Sequence, residues 1–203
     1  KAVSYAIDKS GVMSSVYNGQ YYTAEFPLDY GNWAYPVESG SIGYNPDQAK
    51  QILIDNGWQY KYSNWQKIED YKTVRLNLEL VVNVDNSMQV AAADIIKANL
   101  ENVGIKIKLI KVNSNQYNNY IQNKNFNMIL TGTNVALSPY LDTYFGENNL
   151  ASYQNNEVTS IMNELNDVTN NDSLVKEKVT KLGEIYKNDA PYISLYFNKN
   201  TFV

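Results

Sequence analysis

Two residue types that carry much of protein chemistry are missing from this chain, which has no cysteine and no histidine. Their absence removes Cys nucleophiles, Cys/His zinc sites, disulfides and the Ser-His-Asp triad together. Carboxylate chemistry is what remains for catalysis. Asp142 with Glu147, or Asp29 with Glu38, could serve as a glycosidase acid and base, but any chain with 21 acidic residues offers such pairs. No GxxxxGK[ST] phosphate loop, GxGxxG turn or EF-hand loop occurs. Asn171-Asp172-Ser173 fits a glycosylation sequon; in so asparagine-rich a chain chance explains it, and Ser173 is expected to cap a helix.

The residue types favour binding over catalysis. The 18 tyrosines present apolar bodies with polar tips, the kind of side chain enriched where proteins hold ligands or partners. An AT-rich coding bias accounts for them equally well, because Lys, Asn and Ile are also abundant and Arg75 is the only arginine. From Gln20 to Gly43 no period persists, and Tyr21, Tyr22, Phe26, Tyr30, Trp33 and Tyr35 alternate with turn-forming Pro27, Gly31, Pro36 and Gly40. This stretch either covers the surface as an Ω-like loop or lines a ligand groove, with Trp33 and Tyr35 as the candidate contacts. A second candidate is the loop Thr131 to Ser138. Thr131, Gly132, Thr133, Asn134, Val135, Ala136 and Ser138 would offer hydroxyl, amide and free backbone groups to a ligand.

Those groups need a scaffold. Val74, Leu76, Leu78, Leu80, Val82 and Val84 alternate with Arg75, Asn77, Glu79, Val81 and Asn83, which predicts one long strand. Asp85-Asn86-Ser87 can cap a following helix with Met88, Ala92, Ile95, Asn99 and Val103 on its buried stripe, and Gly104 ends it. Ile105, Ile107 and Leu109 then form a second strand, parallel to the first through a right-handed crossover. A second βαβ step follows, through a helix capped by Ser114 and a central apolar strand Phe126 to Leu130. Ligands of parallel α/β sheets gather outside the carboxyl ends of the strands, which selects the loops Asp85–Ser87 and Thr131–Ser138 and favours the second.

The other elements are simpler. Asp8 can cap a helix Lys9 to Tyr17 after a first helical stretch Lys1 to Ile7. Asn45, Pro46 and Gly57 bound another helix as cap, first turn and stop. Residues 59 to 72 suggest a surface hairpin or irregular insert, 157 to 169 and 173 to 188 suggest helices, and 192 to 197 a strand. Hydrophobic residues make up 44% and charged residues 19%, so the chain can bury a core. A net charge of −4 argues against a nucleic-acid partner. No run of 18 apolar residues exists to span a membrane as a helix. The opening inside a helical pattern suggests a fragment.

Four segments in register resemble the extracellular solute-binding proteins of family 5, the oligopeptide, dipeptide and nickel-binding components of ABC importers. Lys1-Ala2-Val3-Ser4-Tyr5-Ala6-Ile7-Asp8-Lys9 is similar to the family's "R-K-A-l-n-y-A-I-D-K" helix, and Tyr44 to Trp58 to its "Y-D-P-e-k-A-k-x-L-L-x-x-a-G-W" segment. Ile95 to Ile107 resembles its helix-to-strand junction, and Phe126 to Gly132 its "f-D-m-x-l-x-G" strand. The resemblance implies an α/β fold of the type II periplasmic-binding-protein kind, a mixed sheet built from βαβ units with helices on both faces. It further implies that residues 1–203 form a single domain, most of the C-terminal lobe of a two-lobed protein, without the N-terminal lobe and the final return strands. The implied function is binding of a peptide or other small solute in the cleft between lobes and delivery to a membrane permease. No catalysis, cofactor or metal is implied, and the place is outside the cell membrane, periplasmic or lipid-tethered. The family has a Trp and an Asp shortly after the strand glycine, the Asp pairing with a peptide α-amino group in oligopeptide binders. Thr133 and Ala136 stand at those places, so recognition of that amino group is not expected to take the family's form. A surface protein-interaction module and a carboxylate-based glycosidase are the alternatives.

Overall fold

The computed structural model describes residues 1–17, 21–133, 139, 141–167 and 171–198. Helices α1 (Ala2–Ala6) and α2 (Lys9–Tyr17) open the chain, followed by β1 (Tyr21–Thr23), a single 3-10 turn at Val37–Ser39, and α3 (Pro46–Asp55). Next come β2 (Gln59–Lys61), β3 (Asn64–Glu69), β4 (Lys72–Arg75), β5 (Asn77–Asn83), α4 (Ser87–Asn102), β6 (Lys106–Val112), α5 (Ser114–Asn123) and β7 (Met128–Ile129). The last elements are α6 (Asp142–Phe145), α7 (Asn156–Asp167), α8 (Asp172–Asp189) and β8 (Tyr196–Asn198). They divide into two compact units, Lys1–Gln20 with Gly43–Gly132, and Tyr21–Ile42 with Thr133–Val203.

The first unit is built on a parallel sheet of order β6-β5-β7, in which Leu80 of β5 lies opposite both Leu109 and Met128. From β5 the chain steps one way through α4 to β6, then back past β5 through α5 to β7. Right-handed crossovers taken in opposite directions place the two helices on opposite faces of the sheet. The burial of β5 agrees, since Leu80, Val81 and Val82 are buried in succession, which an alternating strand shows only when both faces are covered.

Three sequence expectations need correction here. The predicted long strand from Val74 to Val84 is two strands: β4 belongs to an antiparallel meander with β2 and β3, and only β5 enters the parallel sheet. Leu76 lies between them, its amide donating to the Trp65 carbonyl at 2.8 Å. Unbroken alternation could not reveal that one face changes partners. The buried stripe of α4 is Ala92, Ala93, Ile96 and Leu100; of the predicted stripe Ala92 and Val103 are buried, Ile95 and Asn99 partly buried and Met88 exposed, so the period holds and the buried face is offset by a fraction of a turn. Finally, the expected central strand Phe126–Leu130 is the two-residue β7, paired only with β5, and β5 is the central strand. Asn127 diverts the approach to β7 by accepting the Glu79 amide at 3.0 Å.

The meander turns at Tyr62-Ser63 and Asp70-Tyr71, all four residues having positive φ between 46° and 62°, as two-residue hairpins with native twist require. It is anchored by Trp65, which is 4% exposed, donates from Nε1 to the Val103 carbonyl at 2.7 Å and packs against the Tyr60 ring. Gly104 is required twice over: its φ is +86°, and an added Cβ would lie 2.5 Å from the Tyr60 ring. At the other termini the capping signals hold, with Asp8 accepting the Gly11 amide and Asn45 that of Gln48, and Pro46 in the first helical turn. Two caps move by one or two residues, to Asn113 for α5 and Asn171 for α8, where Ser114 and Ser173 were expected. Asparagine at either site reaches the third amide as well as serine does.

In the second unit β1 and β8 form an antiparallel ribbon, Tyr22 opposite Phe197. The core beneath is lined by Phe26, Leu28, Leu141, Phe145, Val179 and Leu182, with the Phe26 and Tyr186 rings edge to face at 5.3 Å. Helix α8 lies directly on the 3-10 turn: a Cβ on Gly183 would meet the Pro36 ring carbon at 2.8 Å. Two ion pairs, Lys178–Glu164 at 2.5 Å with the lysine partly buried and the exposed Lys181–Glu157 at 2.9 Å, link α7 and α8.

Candidate functional site

Because β5, β6 and β7 run parallel, their carboxyl ends share one edge of the sheet. The loops leaving β5 and β6 turn to opposite faces, the arrangement that opens a ligand crevice in α/β sheets. This topological switch lies at Asn83–Asn86 and Asn113–Ser114, beside the exit of β7 at Leu130–Gly132. Of the two loops that sequence pattern selected, Asp85–Ser87 therefore sits at the switch itself, and the start of the other, Thr131–Gly132, lies beside it.

A polar clasp closes the switch. Val84 donates to the Val112 carbonyl at 2.8 Å, Asp85 accepts the Ser114 amide at 2.9 Å and its hydroxyl at 2.6 Å, and Asn83 donates to the same hydroxyl at 3.1 Å. Asn86 and Asn113 cap α4 and α5. The first turns of both helices therefore already have acceptors, and a carboxylate occupies the N-terminus of α5, the place a free anion would take. Ser114 holds the Asp85 carboxyl below its ordinary range through these hydrogen bonds. The clasp thus contributes at pH above that of free Asp and is lost as acid protonates Asp85 through its lowered value. Asp85→Asn is expected to be less stable than the natural chain at neutral pH. That difference should shrink as pH falls below the titration of free Asp and vanish below the lowered value of Asp85 in the folded chain, measured as denaturant unfolding across pH.

Asn83, Asp85, Asn113 and Ser114 had not been singled out as a group from the sequence. The only available signal was a polar cluster immediately after each parallel strand. Around the clasp Val84 and Met88 are exposed, so the edge mixes apolar and polar groups, as small-molecule sites do.

At the neighbouring exit of β7, the Tyr117 hydroxyl donates to the Leu130 carbonyl at 2.8 Å. Burial pushes the Tyr117 hydroxyl up in pKa, and interactions with the Thr131 and Gln89 side chains partly oppose this. Thr131, Gly132 and Thr133 are exposed. Thr131 and Gly132 end the first unit, while Thr133 opens the second stretch of the other and interacts with the Tyr144 hydroxyl. Asn134, Val135, Ala136 and Ser138 lie outside the described residues.

Within the second unit, Trp33 is 48% exposed and Tyr35 only 7%. Tyr35 belongs to the core cluster, with its ring 4.5 Å from that of Tyr30. Ala24, Phe26, Leu28 and Ala34 from the same aromatic stretch are also buried, so much of that stretch covers a core. Asn171 uses its side-chain oxygen to cap α8 by accepting the Leu174 amide. Among the described residues no three His, Cys, Asp or Glu side chains gather as metal ligands, and no helix is long and apolar enough to cross a membrane.

The sequence model described as "Bacterial extracellular solute-binding proteins, family 5 Middle" matches residues 1–156. Heme-binding protein A of Haemophilus influenzae is 26% identical over 202 residues, covering 95% of this chain and 35% of that protein. Oligopeptide-binding protein AppA of Bacillus subtilis is 24% identical over 210 residues, covering 98% of this chain and 38% of that one. This chain thus spans little more than a third of the length of these curated relatives. Among solved structures, the periplasmic oligopeptide-binding protein of an ABC transporter from Thermotoga maritima superposes with a TM-score of 0.86 at 25% identity, covering 97% of this chain and 40% of that one. A second structure of that Thermotoga protein has mannohexaose bound. The fold is that of the type II periplasmic binding proteins, a mixed α/β architecture.

Proposed function

This chain belongs to the bacterial extracellular solute-binding proteins of family 5, and on that premise we propose that it forms most of the C-terminal lobe of a two-lobed binding protein serving an ABC importer. The solute is held between lobes and passed to a membrane permease, without catalysis. The observation that carries this reading is the family match across residues 1–156, which ends beyond the sheet edge where the clasp and the β7 exit lie. The proposed contacts are Thr131, Gly132, Thr133, Asn134, Val135, Ala136 and Ser138, with Trp33 as a further candidate; Tyr35, buried in the core, is not among them. A lipid tether or a periplasmic location suits such a role.

An oligopeptide is the favoured solute, held largely through backbone hydrogen bonds. Two relatives bear oligopeptide-binding names, and an extended peptide can use backbone groups whatever its side chains. Heme, in the name of another relative, and mannohexaose, bound in a structure of the same Thermotoga protein, define the competing solutes. Native mass spectrometry of the full-length protein, followed by calorimetric titration with peptides, mannohexaose and heme, tests the assignment. Peptide saturation supports it; saturation by sugar or heme alone replaces the solute, and a stable protein partner with no small ligand favours an interaction module. Residues 1–203 alone should bind the same peptide at least about 100-fold more weakly, because one lobe cannot desolvate the ligand on both sides. Equal affinity would defeat the two-lobed reading.

A further inference from the structure

Helices α4 and α5 lie on opposite faces of the parallel sheet, yet their first turns meet over its carboxyl edge. Gln89 is the third residue of α4 and Tyr117 the fourth of α5, and the Gln89 side chain interacts with the Tyr117 hydroxyl. The two residues thus arch across the end of β5, with the Tyr117 hydroxyl donating to the Leu130 carbonyl at the exit of β7. Tyr117 is 7% exposed, so its ring is fixed by packing while its hydroxyl reaches the backbone. Gln89 Oε1 is buried and has no hydrogen-bond partner among the described residues. A buried acceptor left unpaired is costly and is retained where its side chain is held for another purpose. The Gln89 side chain lies against the Tyr117 hydroxyl.

We propose that Tyr117, steadied by Gln89, is a positioning residue for solute binding: its hydrogen bond to Leu130 sets the direction in which the chain leaves β7, and with it the backbone groups of Thr131 and Gly132. The residue touches no ligand itself. It converts the rigidity of the sheet into a fixed presentation of a two-residue stretch that the sheet's own ladder does not reach, since Leu130 makes the last ladder-type bond, to Val81 at 3.0 Å. Preorganisation of this kind raises affinity by removing an ordering cost from the binding step.

This inference rests on the solute-binding reading, and its test separates the two. Tyr117→Phe keeps the ring and deletes the hydroxyl. Ile107→Val, in the core of β6 and away from the β7 exit, is the control for a comparable loss of stability. In the intact ligand-free protein, nitrogen relaxation should show lower order parameters at Thr131 and Gly132 in Tyr117→Phe and unchanged values along β5, while Ile107→Val leaves both unchanged. Titration with synthetic alanine-based peptides of about three to nine residues should then show affinity falling about 3- to 10-fold in Tyr117→Phe and less than about 2-fold in the control. Unchanged order parameters at Thr131 and Gly132, or an equal loss of affinity in both variants, would overturn the proposal. If the natural protein binds none of these peptides, the peptide reading fails and the relaxation comparison alone decides the role of Tyr117.

Discussion

Trp65→Ala is expected to destabilise the first unit by about 3–5 kcal/mol, the range for removing a buried large aromatic side chain. The effect should exceed that of the other meander residues because Trp65 is buried while Tyr62, Tyr71 and Ile68 are exposed and bury little to lose. Three contacts fail at once. The indole Nε1 no longer satisfies the Val103 carbonyl, the Tyr60 ring loses its neighbour at 5.3 Å, and the surface over Gly104 opens. Trp65→Phe separates the contributions: it keeps much of the apolar volume and loses the hydrogen bond, so about 1–3 kcal/mol is expected, the cost of leaving a buried carbonyl unpaired. Denaturant unfolding measures both values, and hydrogen exchange shows where they act. Amides of β2, β3 and β4 should lose protection before those of β5 and β6. Uniform loss, or a cost for Trp65→Ala below about 1 kcal/mol, would mean that the indole does not anchor the meander.

Asn149→Ala should cost the second unit about 3–5 kcal/mol, although asparagine contributes little apolar area. Asn149 is 2% exposed and its side chain makes at least four hydrogen bonds. Its amide nitrogen donates to the Gly146 and Tyr153 carbonyls, both at 2.8 Å, and its oxygen accepts the Tyr153 amide at 2.9 Å and the Tyr192 hydroxyl at 3.1 Å. Alanine leaves the Tyr153 amide and carbonyl without these bonds in a partly buried loop, while the Gly146 carbonyl keeps the backbone amide of residue 149 and the Tyr192 hydroxyl keeps the Ala151 amide. Asn149→Asp is the more telling variant, because a carboxylate would face two carbonyl oxygens it cannot donate to. It should be at least as damaging as alanine at neutral pH and partly relieved on acidification, when a protonated carboxyl can donate once. Chemical unfolding at several pH values measures this; a variant that retains full stability would show the loop to be held by other contacts.

Capping chemistry was largely legible from the sequence because it is local. Asp8, Asn45 and Asn86 lie within three residues of the amides they accept, so residue type and position suffice. The shifts from Ser114 to Asn113 and from Ser173 to Asn171 arose where neighbouring residues were all competent caps and only the direction of the entering chain chose between them. The exits of β5 and β7 were likewise selected by pattern, through the general placement of ligands at parallel strand ends. Asp85 and Ser114 are 29 residues apart, and their clasp was not legible because no local rule joins them. The buried position of Tyr35 was hidden for the same reason: its neighbours come from the far end of the chain, among them Tyr186 and Leu182.

By itself the sequence determined the βαβ scaffold, the family and the absence of cysteine and histidine chemistry. Periodicity, caps and residue inventory are properties of short segments. Tertiary structure alone decided that β4 and β5 serve different sheets, which stripe of α4 is buried, and that β5 rather than β7 is central. Each of these depends on which surfaces finally cover a segment, and burial is set by distant partners that alternation along one strand or helix does not specify. The candidate site follows the same division. Its strand ends can be read along the chain, whereas the clasp of Asp85 with Ser114 and the arch of Gln89 and Tyr117 exist only once opposite crossovers bring two helix N-termini to one edge.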